Sequence, residues 1–136
     1  MITIDGKGAI LGRLASYAAK ELLKGEEISV VNCEQIVITG DKLNIKENLE
    51  AKRKRVGSTQ KGPKVSRLSE KIVKRVIRGM LPNYRVGRGR VAFKKLRCYI
   101  GIPKELEASK KISVGKDMSK FGGKMVTVKE VSKWVE

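Results

Sequence analysis

Apolar positions alternate, cluster or recur every three to four residues along the chain, and each pattern predicts an element. Ile2 to Asp5 reads as a short strand, and Gly6-Lys7-Gly8 as a turn. Leu11, Leu14, Ala15, Ala18 and Leu22 share one helical face, and Gly25 stands where a left-handed C-terminal cap belongs. Ile28 to Asn32 predicts a buried second strand, and Ile36 to Ile38 a third, ended by Thr39-Gly40. Asp41 is placed to cap a helix from about Lys42 to Arg55. That helix offers only Leu43, Ile45, Leu49 and Ala51 to a core, so it is expected at an edge with its basic end outward.

Gly57 to Ser66 predicts a loop, in which Pro63 blocks helix. Ser69 is placed to cap a third helix, with Ile72, Val73, Val76 and Ile77 on one face and Lys71, Lys74, Arg75 and Arg78 on the other. Gly79 to Pro82 ends it, and a fourth short helix is expected from about Gly87 to Lys95. Arg97 to Gly101 predicts a last strand, stopped by Pro103. From Lys104 to Gly123 the pattern weakens to an irregular polar excursion. Thr127-Val128-Lys129-Glu130 fits a capping box, opening a terminal helix with Val128, Val131 and Val135 inward and Trp134 nearby. Strands separated by helices predict an α/β fold with parallel pairing and helices on both faces. There is no internal repeat or clean linker, so residues 1–136 are expected to form a single domain.

Composition sharpens this outline. The chain is 40% hydrophobic but 4% aromatic, so its core must be aliphatic. Histidine is absent, which removes the commonest general base and metal ligand and any Ser-His-Asp triad. No catalytic residue, cofactor, metal site or small-molecule substrate is expected. Cys33 and Cys98 lie in separate apolar runs and are expected to be buried free thiols in a reducing compartment. The N-terminus carries neither a cationic leader nor an apolar signal core, and no stretch approaches a membrane span, so a cytoplasmic protein without a membrane partner is expected.

Charge changes the picture most. The formal net charge is +17. Between Lys52 and Arg97 lie seventeen Lys or Arg residues and one acid, Glu70, so that segment nets +16; the other residues hold fourteen bases and thirteen acids and net +1. A solvated face mixes signs, so this segregation predicts contact with a polyanion, with nucleic acid ahead of an anionic membrane surface.

Lys52-Arg53-Lys54-Arg55 exceeds what a helix dipole needs and suits phosphate. The loop that follows supplies Ser58, Lys61 and Lys64, with Arg67 just beyond, for phosphate and ribose 2′-hydroxyls. Lys74, Arg78 and Lys94 add cations on helices, while Arg85, Arg88 and Arg90 surround two glycines, and arginine forks bind phosphate bidentately. Tyr84, Phe93 and Tyr99 form no run, which favours folded RNA read by shape over single-strand stacking platforms. The Gly6 to Arg13 segment has G-x-G-x-x-x-G spacing, which fits neither a dinucleotide fingerprint nor a P-loop; it reads as a structural turn, with Lys7 and Arg13 as candidate phosphate contacts. A general DNA-binding protein and a nucleotide-dependent enzyme are the competing classes.

Several segments together resemble one family. Leu11 to Ser16, Val30-Val31-Asn32, Ile36 to Lys42, Ile77-Arg78-Gly79-Met80-Leu81-Pro82, Gly87 to Arg90 and Leu96 to Pro103 are similar to the motifs of the universal large-subunit ribosomal protein L-thirteen family (uL13). The resemblance covers roughly residues 2–103. Lys104-Glu105-Leu106-Glu107 stands where the bacterial pattern places a histidine, which points to the archaeal and eukaryotic branch. The resemblance implies a three-layer α/β/α fold with a four-stranded parallel sheet. It also implies binding to large-subunit rRNA, contact with neighbouring large-subunit ribosomal proteins, and a part in subunit assembly and translation.

Overall fold

The computed structural model describes residues 1–60, 62–114 and 122–134. Its centre is a four-stranded sheet built from β1 (Ile2–Asp5), β2 (Ile28–Val31), β4 (Leu96–Cys98) and β5 (Lys111–Ser113) in the order β4-β2-β1-β5. All its pairs are parallel: Ile4 stands beside Val30 and beside Ile112, and Ile28 beside Leu96. The expected α/β class, a four-stranded parallel sheet flanked by helices, is what the chain forms.

The fourth strand is not the expected one. Val37–Thr39 (β3) leaves the main sheet and pairs antiparallel with Met125–Thr127 (β6). Only residues 32–36, which include the short turn Cys33–Gln35, separate β3 from β2. A parallel return needs a crossover of roughly a dozen residues, so β3 cannot rejoin the sheet alongside its predecessor. Lys111–Ser113 takes the vacant edge, from within the stretch expected to be irregular. Its one apolar residue, Ile112, sits between two polar ones, so periodicity carries no strand signal there.

Helix α1 (Leu11–Leu23) buries Leu14, Ala15, Ala18 and Leu22 against Ile4, Ile28, Val30 and Leu96 of the sheet. Its alanines let α3 (Ser69–Met80) approach closely, and α3 adds Val73 and Ile77 to the same core. Helix α4 (Gly87–Lys94) packs on α1 through Ala92. On the opposite face of β1, Ser109 donates a hydrogen bond to Thr3 Oγ1. No aromatic residue is among the largest fully buried side chains, as the composition predicts.

The predicted caps hold in part. At the end of α1, Gly25 N–H donates to Leu22 and Glu26 N–H to Glu21, the paired bonds of a Schellman ending. Thr127 Oγ1 accepts from Glu130 N–H at 3.3 Å and opens α5 (Val128–Lys133), with Val128 and Val131 buried; Val135 lies outside the described residues. Asp41 holds the N-cap position of α2 (Lys42–Lys54), but its side chain does not cap, and its carboxylate faces Lys124 at 3.7 Å instead. Ser69 is the first residue of α3 rather than its cap, a position that Leu68 takes. β4 is shorter than Arg97 to Gly101, although Tyr99 N–H still reaches Val30 O at 2.9 Å. Cys33 is buried as expected, whereas Cys98 is half-buried at the end of its strand; both are free.

Candidate nucleic-acid interface

Helix α3 sorts its residues strictly. Val73 and Ile77 must face α1 to bury their side chains, and this turns Lys71, Lys74, Arg75 and Arg78 to the other side. Helix α2 buries no residue at all, and its last turn carries Lys52, Arg53 and Lys54, followed by Arg55. Arg53 donates to the Val65 carbonyl at 3.2 Å, and Gly62 N–H donates to Val56 O at 2.9 Å, so the connecting loop folds back on the helix end. Between these elements lies a cavity of about 330 Å³. Leu49, Val65, Ile72, Val76 and Phe93 give it an apolar lining. Lys52, Lys64, Lys71, Lys74, Arg75 and Arg78 surround it with positive charge.

A second cluster adjoins it. Tyr84 and Phe93 meet edge to face, with ring centroids 6.0 Å apart. Lys74 Nζ lies 5.2 Å from the Phe93 centroid, and the guanidinium carbons of Arg78 and Arg85 lie 4.6 and 5.4 Å from that of Tyr84. Such cation–π contacts hold long side chains in place without spending their charge. Arg85 Nε–H also donates to Tyr84 Oη at 3.3 Å, and this hydrogen bond, then the arginine charge, lowers the Tyr84 pKa from its ordinary value. Asn83 Oδ1 accepts from Arg85 N–H at 3.1 Å and shapes the turn that enters α4. Gly89 sits in that corner: a Cβ there would stand 2.5 Å from the carbonyl oxygens of both Pro82 and Asn83. The close approach sets Arg88 and Arg90 on the exposed side of the first turns of α4.

Among the described residues, none of the cations from Lys52 to Arg97 is held in an ion pair. Ion pairs among the described residues lie elsewhere, as at the N-terminus with Glu26, at Lys24 with Glu21 and at Lys124 with Asp41. The lone acid, Glu70, leaves Oε2 buried without a hydrogen-bond partner.

Of the residues singled out in the sequence, Lys52 to Arg55, Ser58, Lys64, Arg67, Arg85, Arg88, Arg90 and Lys94 are exposed, and Lys74 and Arg78 are half-buried. Lys61 lies outside the described residues. Lys7 and Arg13 are exposed at the start of α1, outside the groove. The Gly6 turn there is structural: a Cβ on Gly6 would stand 2.8 Å from Val31 O. Lys71 and Arg75 join the groove although neither was in the expected set; their place on the polar face of α3 was the available signal. The Tyr84–Phe93 contact had none, since a turn and half a helix separate the two residues.

Among the described residues there is no group of His, Cys, Asp and Glu that could hold a metal ion, and no helix is long and apolar enough to cross a membrane. A family model described as Ribosomal protein L13 matches residues 1–105. Over 136 aligned residues the chain is 45% identical to the large ribosomal subunit protein uL13 of Methanocaldococcus jannaschii, covering 98% of this chain and 96% of that protein. It is 47% identical to the uL13 of Archaeoglobus fulgidus, with 97% and 85% covered. With the uL13 of Methanopyrus kandleri the identity is 52% over 104 residues, 76% of this chain and 64% of that one.

Proposed function

The chain belongs to the ribosomal protein L13 family, and on that premise we propose that it is a structural constituent of the large ribosomal subunit that binds large-subunit rRNA and catalyses no reaction. The observation that carries the reading is the cationic surface from Lys52 to Arg97, in which no described base is neutralised by a carboxylate of its own chain. A surface left in that state is matched by phosphate, and each contact releases condensed counterions. A single domain of residues 1–136 holds three parts of that surface in register: the end of α2 with its loop, the outer face of α3, and the start of α4. Phosphate contacts from Arg53, Arg55, Lys64, Arg78, Arg88 and Arg90 supply affinity and orientation, and the fold supplies the spacing between them. Neighbouring large-subunit proteins complete its surroundings.

The test is binding of the full chain to a large-subunit rRNA transcript at several salt concentrations, with duplex DNA as competitor. Arg88→Ala with Arg90→Ala is expected to leave the circular dichroism spectrum unchanged and to reduce the log–log salt slope by roughly 1 to 2. An unchanged slope would remove the α4 arginines from the interface. Equal competition by duplex DNA would favour a general DNA-binding protein instead.

A further inference from the structure

We propose that the groove between the end of α2 and α3 takes one unstacked nucleotide of an RNA segment, with its base on the apolar floor and its flanking phosphates on the rim cations. This rests on the RNA-binding reading above and gives it a specific subsite. Helix α3 carries more apolar surface than its core uses. Val73 and Ile77 are fully buried against α1, whereas Ile72 and Val76 are only half-buried and line the groove with Leu49 and Phe93. A surface that touched only a duplex backbone would need cations and hydroxyls, and no apolar floor. An extruded base supplies the missing partner, because every base has a flat apolar face, and such contacts tolerate any sequence.

Size and charge agree. A cavity of about 330 Å³ suits a single small planar group and is too confined for a duplex. Lys52, Lys64, Lys71 and Arg75 ring it, and among the described residues no carboxylate lines it. An acidic peptide would meet the charge, but a cavity of about 330 Å³ suits one small group rather than the several side chains that a docked helix inserts. On one side its lining is the loop residues Lys64, Val65 and Ser66, which Arg53 pins through the Val65 carbonyl. The loop and the two helices therefore present one concave, cation-rimmed floor.

The experiment compares two probes of equal charge on the full chain at one salt concentration: an oligouridylate octamer and an abasic ribose-phosphate octamer. The oligouridylate is expected to bind on the order of tenfold more tightly. Val65→Leu with Ser66→Leu adds aliphatic bulk at the groove without altering charge. It is expected to reduce that preference to about twofold or less while the salt slope stays the same. Lys64→Ala with Lys71→Ala should weaken both octamers in parallel and keep the preference. Equal wild-type affinity for the two octamers, with a steep salt slope, overturns the nucleotide site, leaves the RNA-binding reading standing and gives the groove to a partner protein's acidic segment. A preference that survives the filled groove also overturns it. Loss of binding to both octamers and to rRNA overturns the underlying reading. The wild-type comparison needs no variant, so it stands even if the double leucine chain fails to fold.

Discussion

At the scale of single residues, two positions are held by reasons that the sequence conceals. Gly89 sits inside Arg88-Gly89-Arg90, where flexibility is the natural reading of a glycine between arginines. In the structure it is a buried contact against the Pro82 and Asn83 carbonyls. Backbone cannot yield as a side-chain tip can, so Gly89→Ala is expected to cost about 1–3 kcal/mol, read as a lower midpoint in urea unfolding. An unchanged midpoint would show that α4 can shift without penalty. Cys33 is the second such position. The neighbouring Cys98 thiol, then burial, pushes the Cys33 thiol up from the ordinary value of 9.0. The unfolded chain releases that proton near pH 9 and the folded chain keeps it. The contribution of Cys33 to stability is therefore complete below about pH 9 and is lost as pH rises above it, by up to roughly 1 kcal/mol per pH unit. Urea unfolding from about pH 8 to about pH 10.5 should show this decline in the wild type and a shallower one in Cys33→Ala. Apolar flanks made the burial of Cys33 legible. The proximity of Cys98 was not, because it depends on β4 lying beside β2.

At the scale of elements, legibility followed burial. Helices α1 and α3 were readable because a core imposes a period on their sequences, and their faces fall as the spacing predicts. Helix α2 was readable from its boundaries and from its poverty of apolar residues, and it buries none. Strand β3 was legible as a strand but its antiparallel partner was not, since the length of the connection before it decided the pairing, and β5 was missed because a three-residue strand carries almost no periodic information. The basic set was legible as charge, while the groove was not, since its floor comes from α2, α3 and α4 together. Helix α2 also carries a dynamic consequence. Isolated helices of about its length are marginal in water, and tertiary packing adds little here. Its amides are expected to exchange at least roughly tenfold faster than those of α1 and α3 in the free protein, and to gain protection when rRNA binds. Equal protection of α2 and α1 in the free chain would show that the Arg53–Val65 and Lys42–Trp134 contacts suffice to hold it.

At the scale of the whole molecule, segregation of charge gives salt two opposite effects. The segment from Lys52 to Arg97 nets +16 and the remainder +1, so nearly all self-repulsion lies in one region. Its cations sit at the exposed end of α2 and on the outer faces of α3 and α4, so folding brings like charges together, and among the described residues no ion pair neutralises them. Added salt screens that repulsion, since the Debye length falls to about 8 Å at physiological ionic strength and about 3 Å at 1 M. The folded protein should therefore gain stability, by a rise of several degrees in midpoint temperature, between about 0.02 M and about 0.5 M sodium chloride. Over the same range its affinity for rRNA should fall steeply, because each phosphate contact depends on counterion release. A protein whose basic residues were already paired internally would move the other way on the first measurement, since salt would weaken its own ion pairs. Thermal melts and binding isotherms in one salt series separate the two cases. Rising stability with falling affinity marks a surface that the chain leaves unneutralised for a polyanion. Falling stability would mean that unrecognised acids already satisfy these cations, and the reading of Lys52 to Arg97 as an RNA interface would lose its foundation.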